Sequence, residues 1–135
     1  MALQFATSVR NAILDAIETD TSTGAILKIK SGSAPATCAT ADSGTVLASI
    51  TCPSDWLAAA SSGSKAKSGS WSDASADATG TAAHFRLYKS DGTTCQMQGT
   101  VTVTGGGGDL TLDSVSVTAA QVVTITGFTL TAPGA

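Results

Sequence analysis

His84-Phe85-Arg86-Leu87-Tyr88-Lys89, then Ser90-Asp91-Gly92-Thr93, then Cys95-Gln96-Met97-Gln98-Gly99-Thr100-Val101-Thr102-Val103 is the stretch whose reading decides the fold. Both arms alternate apolar and polar residues, the period of a strand. Asp-Gly between two such arms is the preferred chemistry of a type I′ hairpin turn. In a hairpin of that register Phe85, Leu87, Cys95, Met97, Val101 and Val103 share one face, and Arg86, Tyr88, Gln96, Gln98, Thr100 and Thr102 share the other.

Working outward, the same period recurs on both sides. Ile26 to Lys30 and Thr45 to Thr51 read as strands, the first ended by Ser31-Gly32-Ser33-Ala34-Pro35 and the second by Pro53. Downstream, Gly105 to Gly108 make a corner between strands. Leu110 and Leu112 then alternate in one phase, Val115 and Val117 in the other. Val123 and Ile125, then Gly127, then Phe128 and Leu130 read as a strand with a bulge at the glycine. Between Pro53 and Ala83 the chain is irregular and polar, and Trp56 and Trp71 pin it at both ends. About seven or eight short strands are expected, in an all-β, antiparallel sandwich or jelly roll.

Only the start of the chain breaks this pattern. Ala6, Val9, Ala12, Ile13, Ala16 and Ile17 fall on one face of a helix. Thr7 or Ser8 can cap its start, and Gly24 suits its end. The expected layout is a single domain over 1–135, a helical arm over 1–23 leading into a β-domain over 24–135. So short a helix is not stable alone, so Val9, Ile13 and Ile17 must dock on the chain's own sheet or on a neighbouring subunit.

Composition narrows the class. Ala, Gly, Ser and Thr supply 75 of 135 residues, charged residues 13 % and aromatic residues 4 %. The length fits one domain. The low charge and the many β-branched residues exclude ordinary disorder. No apolar run approaches the ~18 residues of a membrane span. Met1-Ala2-Leu3-Gln4 lacks the features of a signal peptide. A net charge of −3 gives no electrostatic basis for nucleic-acid binding.

Candidate chemistry is sparse. His84 is the only imidazole, sits within a strand and has no G-x-S-x-G nucleophile turn to serve; as a lone strand histidine it is expected at the surface or rim. Asp73 with Asp77, or Asp109 with Asp113, could cluster, yet turn aspartates usually cap backbone amides, and the spacing of a calcium loop is missing. The four glycines precede no Lys-Ser/Thr and no helix, so they hold no phosphate. Cys38, Cys52 and Cys95 are an odd number, read as buried, reduced thiols that behave as small hydrophobes; the alternative is one disulfide from Cys38 to Cys95 or to Cys52. A zinc site from these and His84 would need four unrelated loops to converge. No catalytic, cofactor-binding or metal residues are assigned. Lys65 and Lys67 form either a solvated tip or a contact with an acidic neighbour.

Three stretches carry a resemblance: MALQFATSVRNAILDAIET (1–19), TCPSDWLAAASSGSKAKSGSWSDASADATGTAAHFRLY (51–88) and GGGGDLTLDSVSVTAAQVVTITGFTLT (105–131). Together they resemble a family of small virion structural proteins of tailed bacteriophages and prophages. That resemblance implies a non-enzymatic virion component, made in the bacterial host cytoplasm. The favoured role is a capsid cement or decoration protein, a dimer or trimer bound to the major capsid protein. A neck, tail, baseplate or fibre-associated protein is the alternative. No fibrous repeat or coiled coil is present to support a fibre shaft. A lectin-like sandwich would need exposed aromatic platforms, for which Trp56, Trp71 and Tyr88 are the candidates. The interface candidates are Val9, Ile13, Ile17, Lys65, Lys67 and Trp71.

Overall fold

A computed structural model describes residues 2–135. One helix, α1 (Thr7–Thr21), precedes the strands β1 (Ile26–Lys30), β2 (Val46–Thr51), β3 (Ser64–Ala66), β4 (Ser72–Asp73), β5 (Gly80–Thr81), β6 (His84–Tyr88), β7 (Cys95–Val103), β8 (Leu110–Leu112), β9 (Ser116–Val117) and β10 (Val123–Thr131). Eight strands form one sheet in the order β2-β1-β6-β7-β8-β10-β3, with β4 also on β10; β5 and β9 pair separately. The β content, the eight strands of the main sheet and the N-terminal helix match the sequence expectation; β5 and β9 are additional. The sheet differs from it: it is mixed, and it curls into a half-barrel around the core.

The mixed pairing originates in the glycine run. β8 lies parallel to β7, with Val101 opposite Leu110 and Val103 opposite Leu112. Parallel neighbours ordinarily need a crossover of a dozen residues or more. Here 104–109 suffices, because Gly105 and Gly107 take φ of +84° and +82°. Gly106 and Gly108 lie so close to Thr102 that a Cβ on either would sit 2.8 Å from it. Asp109 locks the crossover by accepting bonds at 2.8 Å from the Thr100 amide and hydroxyl.

The hairpin forms, with two corrections. Its loop is not type I′: among Ser90 to Thr93 only Gly92 has positive φ (+70°), and the Lys89 amide bonds to Thr94 O at 3.0 Å. Asp91 contributes by accepting bonds from the Thr93 and Thr94 amides, both at 2.8 Å. A register shift between Leu87 and Tyr88 then opposes Leu87 to Met97 but Tyr88 to Cys95. Cys95 therefore joins Tyr88 on the outer face, away from Phe85 and Leu87. The bulge expected in β10 is present, as a register shift between Ile125 and Gly127 that keeps Ile125 and Phe128 both buried.

Inner faces of β1, β2, β6, β8 and β10 supply Leu27, Ile29, Leu47, Ile50, Phe85, Leu87, Leu110, Leu112, Ile125 and Phe128 to one core. Trp56 and Trp71 are fully enclosed within it. An aromatic chain runs Trp56–Trp71–Phe128–Phe85, with successive centroids 5.9, 5.4 and 5.7 Å apart. Such tilted and edge-on pairs stabilise by roughly 0.5–1.5 kcal/mol each beyond the area they bury. The segment between Pro53 and Ala83 is thereby pinned by its tryptophans. It also holds a hairpin the sequence reading passed over: Ser61 and Ser64 exchange two 2.9 Å backbone bonds around Ser62 and Gly63, at φ of +52° and +73°.

The helix begins without a side-chain cap at Ala6, not with the expected Thr7 or Ser8. It ends on Ser22, held at φ 66° and ψ −167°, two residues before the glycine expected to end it.

Candidate interaction surface

The helix docks by a face turned about a quarter turn from the apolar stripe and sharing only Ile17 with it. Arg10, Leu14 and Thr21 are buried, and Ile17 packs against the core. Arg10 reaches the end of β10, donating from Nη2 to Ala132 O at 2.8 Å and from Nε to Pro133 O at 3.2 Å. Its guanidinium occupies the space a side chain at Gly63 would need, 2.3 Å from a Cβ there. Asn11 accepts the Gly63 amide at 2.9 Å. Lys65, 3 % exposed, reaches from β3 to Asp15 at 2.8 Å and Glu18 at 3.0 Å. Burial disfavours the charge on Lys65, but the bonds from Asp15 and Glu18 outweigh it and raise its pKa. A polar clamp flanking the buried Leu14 and Ile17 fixes the helix to the sheet.

Outward, the helix keeps an apolar stripe. Leu3 is 76 % exposed, Phe5 37 %, Val9 44 % and Ile13 38 %. Phe5 precedes the helix, its ring set against Gly134; Val9 and Ile13, four apart, share one side of the helix. Ala12 and Ala16 are exposed beside them, and the acidic side chains of Asp15 and Asp20 border a shallow depression there.

The six residues expected at an interface thus separate. Val9 and Ile13 face outward. Ile17 is turned toward the core, Trp71 is fully buried with Nε1 donating to Ser68 O at 3.0 Å, and Lys65 is enclosed by the chain's own helix. Lys67 remains half-buried, its ammonium donating to Gly69 O. The acidic neighbour foreseen for the lysine loop is α1 itself. Leu3 and Phe5 were passed over; their alternation around Gln4, ahead of the helix start, was the available signal.

A second surface feature comes from the sheet. β7 and β10 are nine residues each, but β8 between them has only three. Where β8 is missing, the strands leave a groove of about 410 Å³ floored by Phe85, Met97, Phe128 and Leu130 and edged by Gln98 and Asp109.

Behind the sheet, the 31–45 loop covers a polar cluster. Lys30 and Arg86 are 3 % and 2 % exposed and share one carboxylate, Asp42, at 2.5 and 3.5 Å. Tyr88 Oη donates to the same carboxylate at 2.9 Å. Burial alone would raise the Asp42 pKa; the bonds from Lys30 and Tyr88 prevail and hold it at about 2. Burial and the bond to Asp42 push Tyr88 up to about 12. His84 lies beneath this loop at 1 % exposure, so the expected rim position is wrong, and its Nδ1 donates to Gly32 O at 2.8 Å. Asp73 accepts the amides of Ser49 and Ser75 at 3.0 and 2.9 Å. Among the described residues no group of three or more His, Cys, Asp or Glu side chains could hold a metal ion, and no helix is long and apolar enough to cross a membrane.

Comparison with protein-family models, curated proteins and solved structures finds no match.

Proposed function

We propose that the chain is a non-enzymatic structural component of a tailed-bacteriophage virion, a cement or decoration protein that docks through its N-terminal helix onto the lattice of major capsid protein. The observation that carries this reading is the exposed pair Val9 and Ile13, with Phe5 partly exposed beside Gly134 at the helix entry, on a helix whose neighbouring face is fixed to the sheet. Because Arg10, Asn11 and Lys65 hold the helix on the sheet, the stripe is presented rigidly, and little ordering entropy opposes docking. Low charge and a Thr-rich exterior reduce the desolvation cost of packing copies side by side. The virion assignment rests on the resemblance of the 1–19, 51–88 and 105–131 stretches. Self-complementary patches of this kind close into dimers or trimers. Asp15 and Asp20 at the border of the stripe are paired with Lys65 and Lys89 of the same chain, so the partner strip is expected to be mainly apolar.

The test is to mix purified protein with undecorated heads of the phage that encodes it and to count bound copies. Saturable binding at a fixed ratio to capsid subunits supports the reading. Absence from heads, with a few copies at the tail end of the virion, replaces it with the neck or tail role.

A further inference from the structure

Cys38 and Cys95 are brought to one patch of the outer face of the sheet, although they are 57 positions apart in sequence. Two local features bring them together. The register shift after Leu87 turns Cys95 outward as the cross-strand partner of Tyr88. The 31–45 loop is then laid over that face: Gln98 Nε2 donates to Pro35 O at 2.6 Å, Arg86 Nη2 to Cys38 O at 2.7 Å and to Thr40 O at 3.2 Å, and Tyr88 Oη to Asp42. The loop is thus anchored on both sides of Cys38, which lies over Arg86 near enough to Cys95 for that thiol to act on its proton affinity; Cys95 Sγ itself donates to Met97 O at 3.5 Å. The expected burial holds for Cys52 alone; Cys38 and Cys95 are partly exposed, because Cys38 sits on the covering loop and the register shift turns Cys95 outward.

We propose that Cys38 and Cys95 are a redox pair that closes to a disulfide by exchange with a low-molecular-weight disulfide, stapling the 31–45 loop to β7. The Cys95 thiolate attacks one sulfur of R–S–S–R, forming Cys95–S–S–R and releasing RS⁻. Cys38 loses its proton to water and its sulfur displaces the second RS⁻ from Cys95 Sγ, leaving Cys38–S–S–Cys95. Two protein thiols are oxidised and one R–S–S–R is reduced to two R–SH. Burial and the adjacent Cys95 sulfur push the Cys38 thiol up to about 11, so Cys38 holds its proton in the first step and resolves in the second. Arg86, which holds the Cys38 carbonyl, favours the Cys38 thiolate when it forms. Closure needs the sulfurs to approach to about 2.05 Å, a side-chain movement at the tip of a loop whose backbone is already in place. The inference rests on this geometry alone and stands whether or not the virion reading holds.

The bridge would close a long loop in the unfolded chain, and the melting temperature should rise by roughly 5–10 °C. The experiment uses the full chain carrying Cys52→Ala, so that each remaining cysteine lies on a different tryptic peptide, treated with oxidised glutathione at pH 8 and alkylated. The expected result is an intact mass lower by about 2 Da, a non-reduced peptide joining the segments that hold Cys38 and Cys95, and the higher melting temperature, all reversed by dithiothreitol. Cys38→Ser, a change in a half-exposed loop, should abolish the rise and leave glutathione on Cys95. Glutathione adducts on both cysteines without a bridge, disulfide dimers between chains, or a bridge that lowers the melting temperature would each overturn the proposal.

Discussion

Asp42→Asn isolates the part of the fold that is most exposed to electrostatic failure. Lys30 and Arg86 are 3 % and 2 % exposed and have Asp42 as their shared carboxylate. Removing one partner of a buried ion pair costs about 3–5 kcal/mol, because the remaining charge stays desolvated. Two facts lower that figure here. Asp42 is itself 34 % exposed, so water can enter beside Lys30, and asparagine still accepts from Tyr88. An expected loss of about 2–3 kcal/mol follows, which for a domain of this length lowers the melting temperature by about 6–12 °C. The pH dependence adds a sharper criterion. Asp42 titrates at about 2 in the folded chain against an ordinary 3.8, so its contribution is complete above about pH 4 and disappears as pH falls through about 2. A shift of that size would be worth at most about 2.4 kcal/mol, and partial exposure discounts it toward about 1 kcal/mol. Thermal unfolding of both proteins, followed by circular dichroism from pH 7 to pH 2, should therefore show a gap that narrows below pH 4. A gap under about 1 °C at pH 7, or one that is the same at pH 5 and pH 2, would refute the reasoning.

Three other substitutions probe the backbone and the helix clamp. Ser22 holds φ 66° and ψ −167°, a region essentially reserved for glycine, so Ser22→Gly should stabilise by about 1 kcal/mol and raise the melting temperature by a few degrees. Gly92→Val should cost about 1–3 kcal/mol in urea unfolding, because a β-branched residue must take φ +70°; space is not the issue, since a Cβ there would meet only Ile26 Cδ1 at 3.6 Å. Lys65→Ala should cost about 1–2 kcal/mol: its stem and ion pairs are lost, but Asp15 and Glu18 are 55 % and 26 % exposed and rehydrate. Hydrogen exchange should then show α1 opening before the sheet does.

Strand period was legible because one face of most strands is buried and the other polar, which is the condition that makes alternation visible. The β10 bulge was legible for the same reason: Gly127 interrupts an otherwise regular alternation. β6 escaped a full reading because both of its faces are covered, the outer one by a loop whose Asp42 neutralises cations that look solvent-facing in sequence. Cys95 was placed on the wrong face because a one-residue shift in pairing leaves no trace in composition. The parallel β7–β8 pairing was hidden in four glycines that read equally well as any corner. The helix misled more instructively. Its apolar side was visible, yet the side that docks is Arg10, Leu14, Ile17 and Thr21, where guanidinium-to-carbonyl bonds join the burial of two apolar side chains. Hydrophobic periodicity finds apolar stripes; it does not say whether the partner belongs to the same chain.

That last distinction is what the central claim depends on, and Val9→Asp with Ile13→Asp tests it. Both side chains are more than a third exposed, so the double substitution should leave the melting temperature within about 2 °C of the parent. The measurement is the number of copies bound per undecorated head at saturation, parent against double variant, each confirmed folded by its melting curve. The account predicts that the folded variant loses at least tenfold in affinity for heads. A folded variant that binds heads as the parent does would contradict it.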